Sequence, residues 1–304
     1  MDGILPVYKP TGMTSADVVS KLRYLLQMKK VGHSGTLDPS VDGVLPIALG
    51  AATKAVPALM ALGKTYTGKA TLGFATETED LEGAEVSRVT LTAPFTDAQI
   101  DAALLTLTGE ITQTPPMYSA VKVNGRKLYQ YARNGETVER PTRQVHVYEF
   151  KRTAPSTFDA ARGTQDFTFE AKVSKGTYIR TLAVDAGRAL KVPAVMAQLT
   201  RIQSGGFRLS DTLDLRQLTR DTAPAAAAAH LRPIEFAFPD LPLMALSASQ
   251  WDAVKNGRGL PLSTAATDEI GLTYQGVFKA LYRKEAAEFR PAMMFLANAG
   301  IGQG

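Results

Sequence analysis

A chain of 304 residues, 45% of them hydrophobic, is long enough for a large domain plus an appendage and can bury a substantial core. Cysteine is absent and the three histidines (His33, His146, His230) are dispersed, which excludes disulfides, thiolate nucleophiles and cysteine-ligated metals and leaves no HExxH-type motif. The net charge of +5 suits a polyanionic partner, and no apolar run reaches the length needed to cross a bilayer.

The segment Met1 to Pro10 lacks the basic-then-apolar order of a secretion signal, so a cytoplasmic location is expected. Thr14 and Asp17 form a capping-box pattern ahead of a helix over about Ser15–Leu26, with Val18, Val19, Leu22, Leu25 and Leu26 on one side. Gly32 to Lys54 combines glycines, an Asp-Pro step and the apolar run Val44–Leu49. It reads as a loop feeding a strand, with Pro46 marking an edge, an end or a bulge. Thr65–Leu72 alternates, Tyr66, Gly68, Ala70 and Leu72 against Thr65, Thr67, Lys69 and Thr71, and predicts a half-buried strand.

Glu77 to Glu110 carries eight acidic residues against Arg88 alone. Within it, Thr96 and Gln99 cap a second helix, striped by Ile100, Leu104 and Leu107. Gln113 to Arg143 reverses the balance, with six basic residues against Glu136 and Glu139, so one face is offered to phosphates and another is kept from them. Ala120–Val123 followed by Asn124-Gly125 predicts a hairpin whose two central residues take positive φ.

Phe167–Val173 alternates as a strand, and Gly176 turns the chain into a helix over about Tyr178–Leu190. The alanine tract Ala223 to His230 reads as a helix and connector, with a boundary near Asp240. Short strands and the turn Lys255-Asn256-Gly257 then describe a small β-rich domain over 241–304, with Asn298 to Gly304 frayed. Separate helices and alternating strands favour an α+β fold over a βαβ repeat.

Several residues could carry chemistry, each with a plainer reading beside it. Asp38, in Gly32-His33-Ser34-Gly35-Thr36-Leu37-Asp38-Pro39, is biased towards extended backbone by Pro39 and flanked by glycines that let main chain approach a ligand; it could equally close an Asp-Pro turn. Tyr66 is a pocket ring or a core tyrosine. Arg180 sits in the first turn of a helix, where the dipole does not favour a cation, and so points to a carboxylate, a phosphate or a surface salt bridge. His33 fits a turn as well as a site. The stretch Tyr118 to Arg133 interleaves tyrosines with Lys122, Arg126, Lys127 and Arg133, a combination suited to RNA loops and also to an ordinary amphipathic hairpin and helix.

Taken together, Tyr8-Lys9-Pro10-Thr11-Gly12-Met13-Thr14-Ser15, the run from Gly32 to Lys54, Lys64 to Gly73, Pro115 to Arg133 and Ser174 to Ala183 resemble, in order and spacing, the bacterial TruB-type tRNA pseudouridine synthases, which modify the uridine of the TΨC loop (position 55). The C-terminal part resembles that family's small β-rich PUA-type RNA-binding domain. Two positions depart from the family's common pattern: Tyr8, where Asp frequently precedes Lys-Pro, and Val41-Asp42, where smaller, uncharged residues are common.

The resemblance implies an α+β pseudouridine-synthase catalytic domain over 1–240 with a mixed or antiparallel central sheet, a thumb-like insertion at about 113–143, and a PUA-like domain over 241–304. It makes Asp38 the catalytic aspartate, Arg180 its partner and Tyr66 the ring stacked on the target base. His33 would contact loop nucleotides, Tyr178 and Leu199 would line the base pocket, and Lys9 and Pro10 would support Tyr66. It further implies base flipping without cofactor or metal, tRNA (its T-arm) as partner, no protein partner or membrane, and a monomer. Two other readings stand beside it: a guide-RNA-dependent pseudouridine synthase, and an RNA-binding folding helper without catalysis.

Overall fold

The first strand of the chain, β1 (Gly3–Lys9), shows no hydrophobic alternation because almost every residue in it is buried. The computed structural model describes residues 1–261, 267–286 and 288–300. They divide into two compact units, Met1–Leu62 with Ser204–Gly304 and Gly63–Gln203.

In the first unit, helix α1 (Ser15–Leu26) starts at the expected capping box, with Thr14 and Asp17 exchanging bonds, and buries Val18, Val19, Leu22 and Leu25. Strand β2 (Val31–His33) leads through a loop to β3 (Asp42–Leu49), and β3 pairs antiparallel with β1 in full register, Gly3 opposite Leu49 and Lys9 opposite Gly43. Pro46 therefore stands inside a paired strand, not at an edge, an end or a bulge. The register explains how. Pro46 lies opposite Pro6, and facing residues of an antiparallel pair alternate between exchanging two hydrogen bonds and exchanging none. Two facing prolines fill a pair of the second kind, so neither lacks a bond to the other strand.

In the second unit five neighbouring sheet strands run in the order Ala194–Ser204, β4 (Lys64–Leu72), Thr164–Val173, Arg143–Arg152 and Gly109–Gln113. In β4 Tyr66, Ala70 and Leu72 are buried as the alternation predicts, but Lys64, Thr65 and Thr71 are buried too. The polar face is covered through hydrogen bonds: Thr71 Oγ1 and Lys69 Nζ both donate to the Asp166 carboxylate, at 2.6 and 2.9 Å. Helix α2 (Val56–Ala61) precedes β4, and α3 (Asp97–Leu105) begins at the Thr96–Gln99 capping box. The Asn124-Gly125 turn has φ of 50° and 82°, as its hairpin requires, and leads into α4 (Leu128–Arg133). Helix α5 (Ile179–Ala189) follows the strand Thr164–Val173.

The chain then returns to the first unit. Leu213–Asp214 pairs parallel with β1, which makes the sheet mixed, and the alanine tract forms helix α6 (Ala223–His230). A separate four-strand sheet follows, ordered Leu243–Ala245, Glu269–Tyr274, Val277–Glu285 and Glu288–Met294. Lys255-Asn256-Gly257 is a turn, yet it ends a helix, α7 (Ala248–Val254), where Gly257 at φ 71° donates to Val254 O. The signal for that helix is the Ser247–Gln250 capping box, overlooked in the sequence. Asn298 is not frayed: it is buried, its amide donates to Phe278 O at 2.8 Å, and its carbonyl accepts Lys279 Nζ at 2.6 Å. Gly300 N donates to Asn298 Oδ1 at 3.1 Å, and 301–304, the last part of the stretch expected to fray, lie outside the described residues.

Candidate active site

Two groups of predicted residues emerge, one in each unit. In the first, the loop carrying Asp38 is pinned along its length. Ser34 N donates to Pro46 O at 3.0 Å, and Leu37 N donates to the buried Ser15 Oγ at 2.9 Å. Pro39 O accepts Gly12 N at 2.8 Å, and Val41 N closes a turn onto Asp38 O at 3.1 Å. Lys9, fully buried at the end of β1, turns its ammonium onto carbonyls: Met13 O at 2.6 Å, Pro10 O at 3.0 Å and Pro39 O at 3.4 Å. A lysine so engaged is a structural strut for the loop, and it holds Pro10 on the same strut. The Asp38 side chain itself is half-buried. His33 ends β2, where its Nδ1 accepts Gly35 N at 3.3 Å.

The second group surrounds Arg180. Its guanidinium, 6% exposed, donates through Nη1 to Thr78 O at 2.8 Å and through Nη2 to Tyr118 O at 2.9 Å, with Asp80 3.9 Å away. The planar fork thus bridges two loops at once. Thr78 and Asp80 carry no signal singled out in the sequence, and Tyr118 stands there only as one of the tyrosines interleaved with cations. The acidic stretch reads in sequence as a face kept from phosphates; within it Asp80 is buried, accepts Thr78 Oγ1 at 2.6 Å and Glu82 N at 3.0 Å, and so folds the 78–82 turn about itself. The signal was present in Thr78-Glu79-Asp80, since short polar side chains two residues apart favour such turns.

Glu79 beside it has φ of 65° and accepts Thr181 Oγ1 at 2.7 Å, tying the turn to the start of α5. Burial pushes the Glu79 carboxyl upward, opposed by the Thr181 bond and by Arg180. Tyr178, the N-cap residue of α5, exchanges two main-chain bonds with the Gln113 side chain, and its ring lies under the Arg143 guanidinium at 5.3 Å. Tyr66 and Leu199 are both 7% exposed and lie on adjacent strands. Gly68 permits that approach: a Cβ there would stand 2.6 Å from Gln198 O and 3.0 Å from Leu199 Cδ1. At the start of β4, Lys64 is buried, and burial, with Arg201 and Lys175 adding repulsion, lowers it to about 8.

The insertion presents the predicted cations unequally. Lys122 is exposed, and Lys127 and Arg133 both lie against the Tyr129 ring, at 5.5 and 5.3 Å. Arg126 stacks on Tyr131 at 4.3 Å while forking onto Glu136 at 2.8 and 3.1 Å. Among the described residues no three His, Asp or Glu side chains gather as a metal site, and no helix is long and apolar enough to cross a membrane.

A mixed central sheet with flanking helices and a separate C-terminal β-rich sheet is the fold of the pseudouridine synthases. The chain matches the structure of a Cbf5-Nop10-Gar1 complex with a TM-score of 0.70 and 27% identity, over 96% of this chain and 84% of that one. The profile of the TruB family pseudouridylate synthase N-terminal domain matches residues 23–179. Tyr66, the Asp38 loop and much of the Arg180 cage fall within that match, and the chain belongs to the TruB family. A protein of Lacticaseibacillus paracasei called tRNA pseudouridine synthase B is 59% identical over 98% of this chain and 99% of its own length. A protein of Levilactobacillus brevis with the same name is 58% identical over 98% of this chain and its full length, 100%.

Proposed function

We propose that this chain isomerises a uridine in the TΨC loop of tRNA, position 55, to pseudouridine, acting alone as a monomer in the cytoplasm and without a cofactor. The observation that carries the reading is the Asp38 loop: its backbone is pinned by β3, α1 and the β1–α1 connection, in a chain 58–59% identical to proteins named for this reaction. A loop so held fixes a carboxylate in place before substrate arrives, which is what proximity catalysis requires.

In the reaction the N1–C1′ bond breaks, a C5–C1′ bond forms, and the proton leaving C5 is balanced by one gained at N1. Asp38 acts as nucleophile or as base at C2′, and both roles need it ionised. Arg180 is the cation assigned to favour that form, and its two carbonyl anchors support the role because they remove the freedom of its guanidinium. Tyr66 stacks on the base, Tyr178 and Leu199 line its pocket, and His33 contacts the loop nucleotides. Lys9 and Pro10 act from behind, which their carbonyl strut supports. The base leaves its stack at a cost of about a few kcal/mol. Contacts from Lys122, Arg126, Lys127 and Arg133, and from a PUA-like segment over 241–304, offset that cost.

The test is the purified chain with an isolated T-arm hairpin, read by mass spectrometry. Pseudouridine forms without guide RNA or partner protein if the reading holds; a requirement for either favours the guide-dependent alternative. Asp38→Asn abolishes the product while tRNA affinity stays nearly unchanged. Turnover by that variant removes Asp38 from the chemistry, and a wild type that binds RNA without modifying it leaves the folding-helper reading.

A further inference from the structure

Glu79 is held in a backbone conformation that suits it poorly. Its φ of 65° lies in the left-handed region, which glycine or asparagine adopts at less cost, and strain of this kind points to a use for the residue that bears it. Main-chain bonds keep it there: Glu79 N donates to Thr76 O at 3.3 Å, and Glu79 O accepts Met196 N at 3.1 Å. From that position the side chain reaches α5, where its Oε2 accepts Thr181 Oγ1 at 2.7 Å.

The start of α5 lacks what usually secures a helix end. Its N-cap residue, Tyr178, supplies no side-chain cap, and no acidic residue stands in the first turn. Arg180 lies in that turn nonetheless, where the dipole opposes a cation, and both it and Thr181 are buried. Two links run from the 78–80 turn to these neighbours. Thr78 O accepts Arg180 Nη1 at 2.8 Å, and Glu79 accepts the Thr181 hydroxyl, so residues adjacent in sequence at one end hold residues adjacent in sequence at the other. A single bond fixes a distance but leaves rotation about it; two side by side fix direction as well. Direction matters here, because the same guanidinium also meets Tyr118 O at 2.9 Å, and a small turn of α5 about the first link would spoil that second anchor.

We propose that Glu79 is a positioning residue for the uridine isomerisation: through Thr181 it sets the placement of the Arg180 guanidinium. This rests on the part given to Arg180 above. The carboxylate acts on the geometry of the charged fork and not on the RNA, so its loss appears in the chemical step and leaves binding alone.

The experiment follows single-turnover pseudouridine formation in a T-arm hairpin at saturating enzyme, with Kd and Tm measured beside it. Glycine suits the backbone at position 79, so Glu79→Gly removes the side chain while relieving the strain. Its rate falls about three- to tenfold, the worth of one hydrogen bond, while Kd stays within about twofold and Tm within about 3 °C of wild type. Glu79→Gln keeps an acceptor for Thr181 and restores most of the rate. The glycine substitution placed on Arg180→Lys costs nothing further, because the fork it would misplace is already gone.

A wild-type rate for Glu79→Gly overturns the proposal. So does an equal loss in the Arg180→Lys background, which would mean that Glu79 acts on something other than Arg180. A glutamine variant no faster than the glycine variant overturns it too, since the acceptor would then count for nothing. Failure of the reading beneath it looks different: the wild type leaves the hairpin unmodified, or Arg180→Lys runs at full rate, and either result removes what Glu79 would position.

Discussion

Tyr8 and Asp42, which the sequence reading sets apart together with Val41, are bonded to each other: the phenol donates to Asp42 Oδ2 at 2.6 Å. That bond, with burial and the Asp42 charge, pushes Tyr8 up to about 12, so the phenol keeps its proton throughout the neutral range. Arg216 lies over the same ring at 5.5 Å and pairs with Asp214, the residue opposite Tyr8 on the neighbouring strand. The two departures therefore form one compensated unit next to Lys9 and the Asp38 loop. Tyr8→Phe and Asp42→Ser should each lower stability by about 1 kcal/mol, the bond being partly exposed, and the double variant should lose less than the sum. Urea denaturation of the four proteins measures this, and additive losses would show two independent residues. Arg180 invites a different substitution. Lysine cannot bridge Thr78 O and Tyr118 O with one planar group, so Arg180→Lys should cut the single-turnover rate by at least about tenfold with little change in Kd. Neither relation was legible beforehand. Tyr8 and Asp42 are 34 residues apart and meet only through the β1–β3 register, and the Arg180 anchors are backbone carbonyls, to which any residue type contributes.

Elements with local signals are legible in the sequence, the α7 capping box being the one passed over, and those whose signals depend on surroundings are not. The capping boxes of α1 and α3 and the Asn124-Gly125 turn are each contained in four residues, and the structure has them where expected. β1 escaped because burial on both faces erases the period of two, and Pro46 was misplaced because a proline's tolerance depends on what faces it across the ladder. The insertion shows the same limit at the level of charge. The four of its cations assigned to RNA look alike in sequence, but Arg126 is already forked onto Glu136, whereas Arg133 lies against a tyrosine ring in an exposed position. A cation already neutralised by a carboxylate releases fewer counterions when it meets RNA. Arg133→Ala should lower the slope of log Kd against log salt by about 1, and Arg126→Ala by clearly less. T-arm binding measured across a salt series distinguishes them, and equal slopes would show that the Glu136 pairing opens on binding.

Stability of the whole molecule carries a signature of Lys64. Its proton is held less tightly in the fold, at about 8, than in the unfolded chain, at 10.5, so between those values the unfolded state binds more protons. Stability contributed by this group therefore rises with pH from about 8 towards 10, and is constant below that window. Lys64→Met should flatten the rise in denaturation midpoints. A boundary near Asp240, drawn from composition, says nothing of how the C-terminal sheet is anchored, because its partners in β1 and β3 are more than two hundred residues away. Phe278, Leu281 and Phe295 pack in one buried cluster with Ile4, Val44 and Phe207, so β1 and β3 share their core with that sheet. Phe278→Ala, at a position with 0% exposure, should cost about 3–5 kcal/mol. Because the cluster is shared, the loss should appear as faster amide hydrogen exchange in β1 as well as in the strand Val277–Glu285. Exchange accelerated in the C-terminal strands alone, with β1 still protected, would show that 241–304 folds on a core of its own.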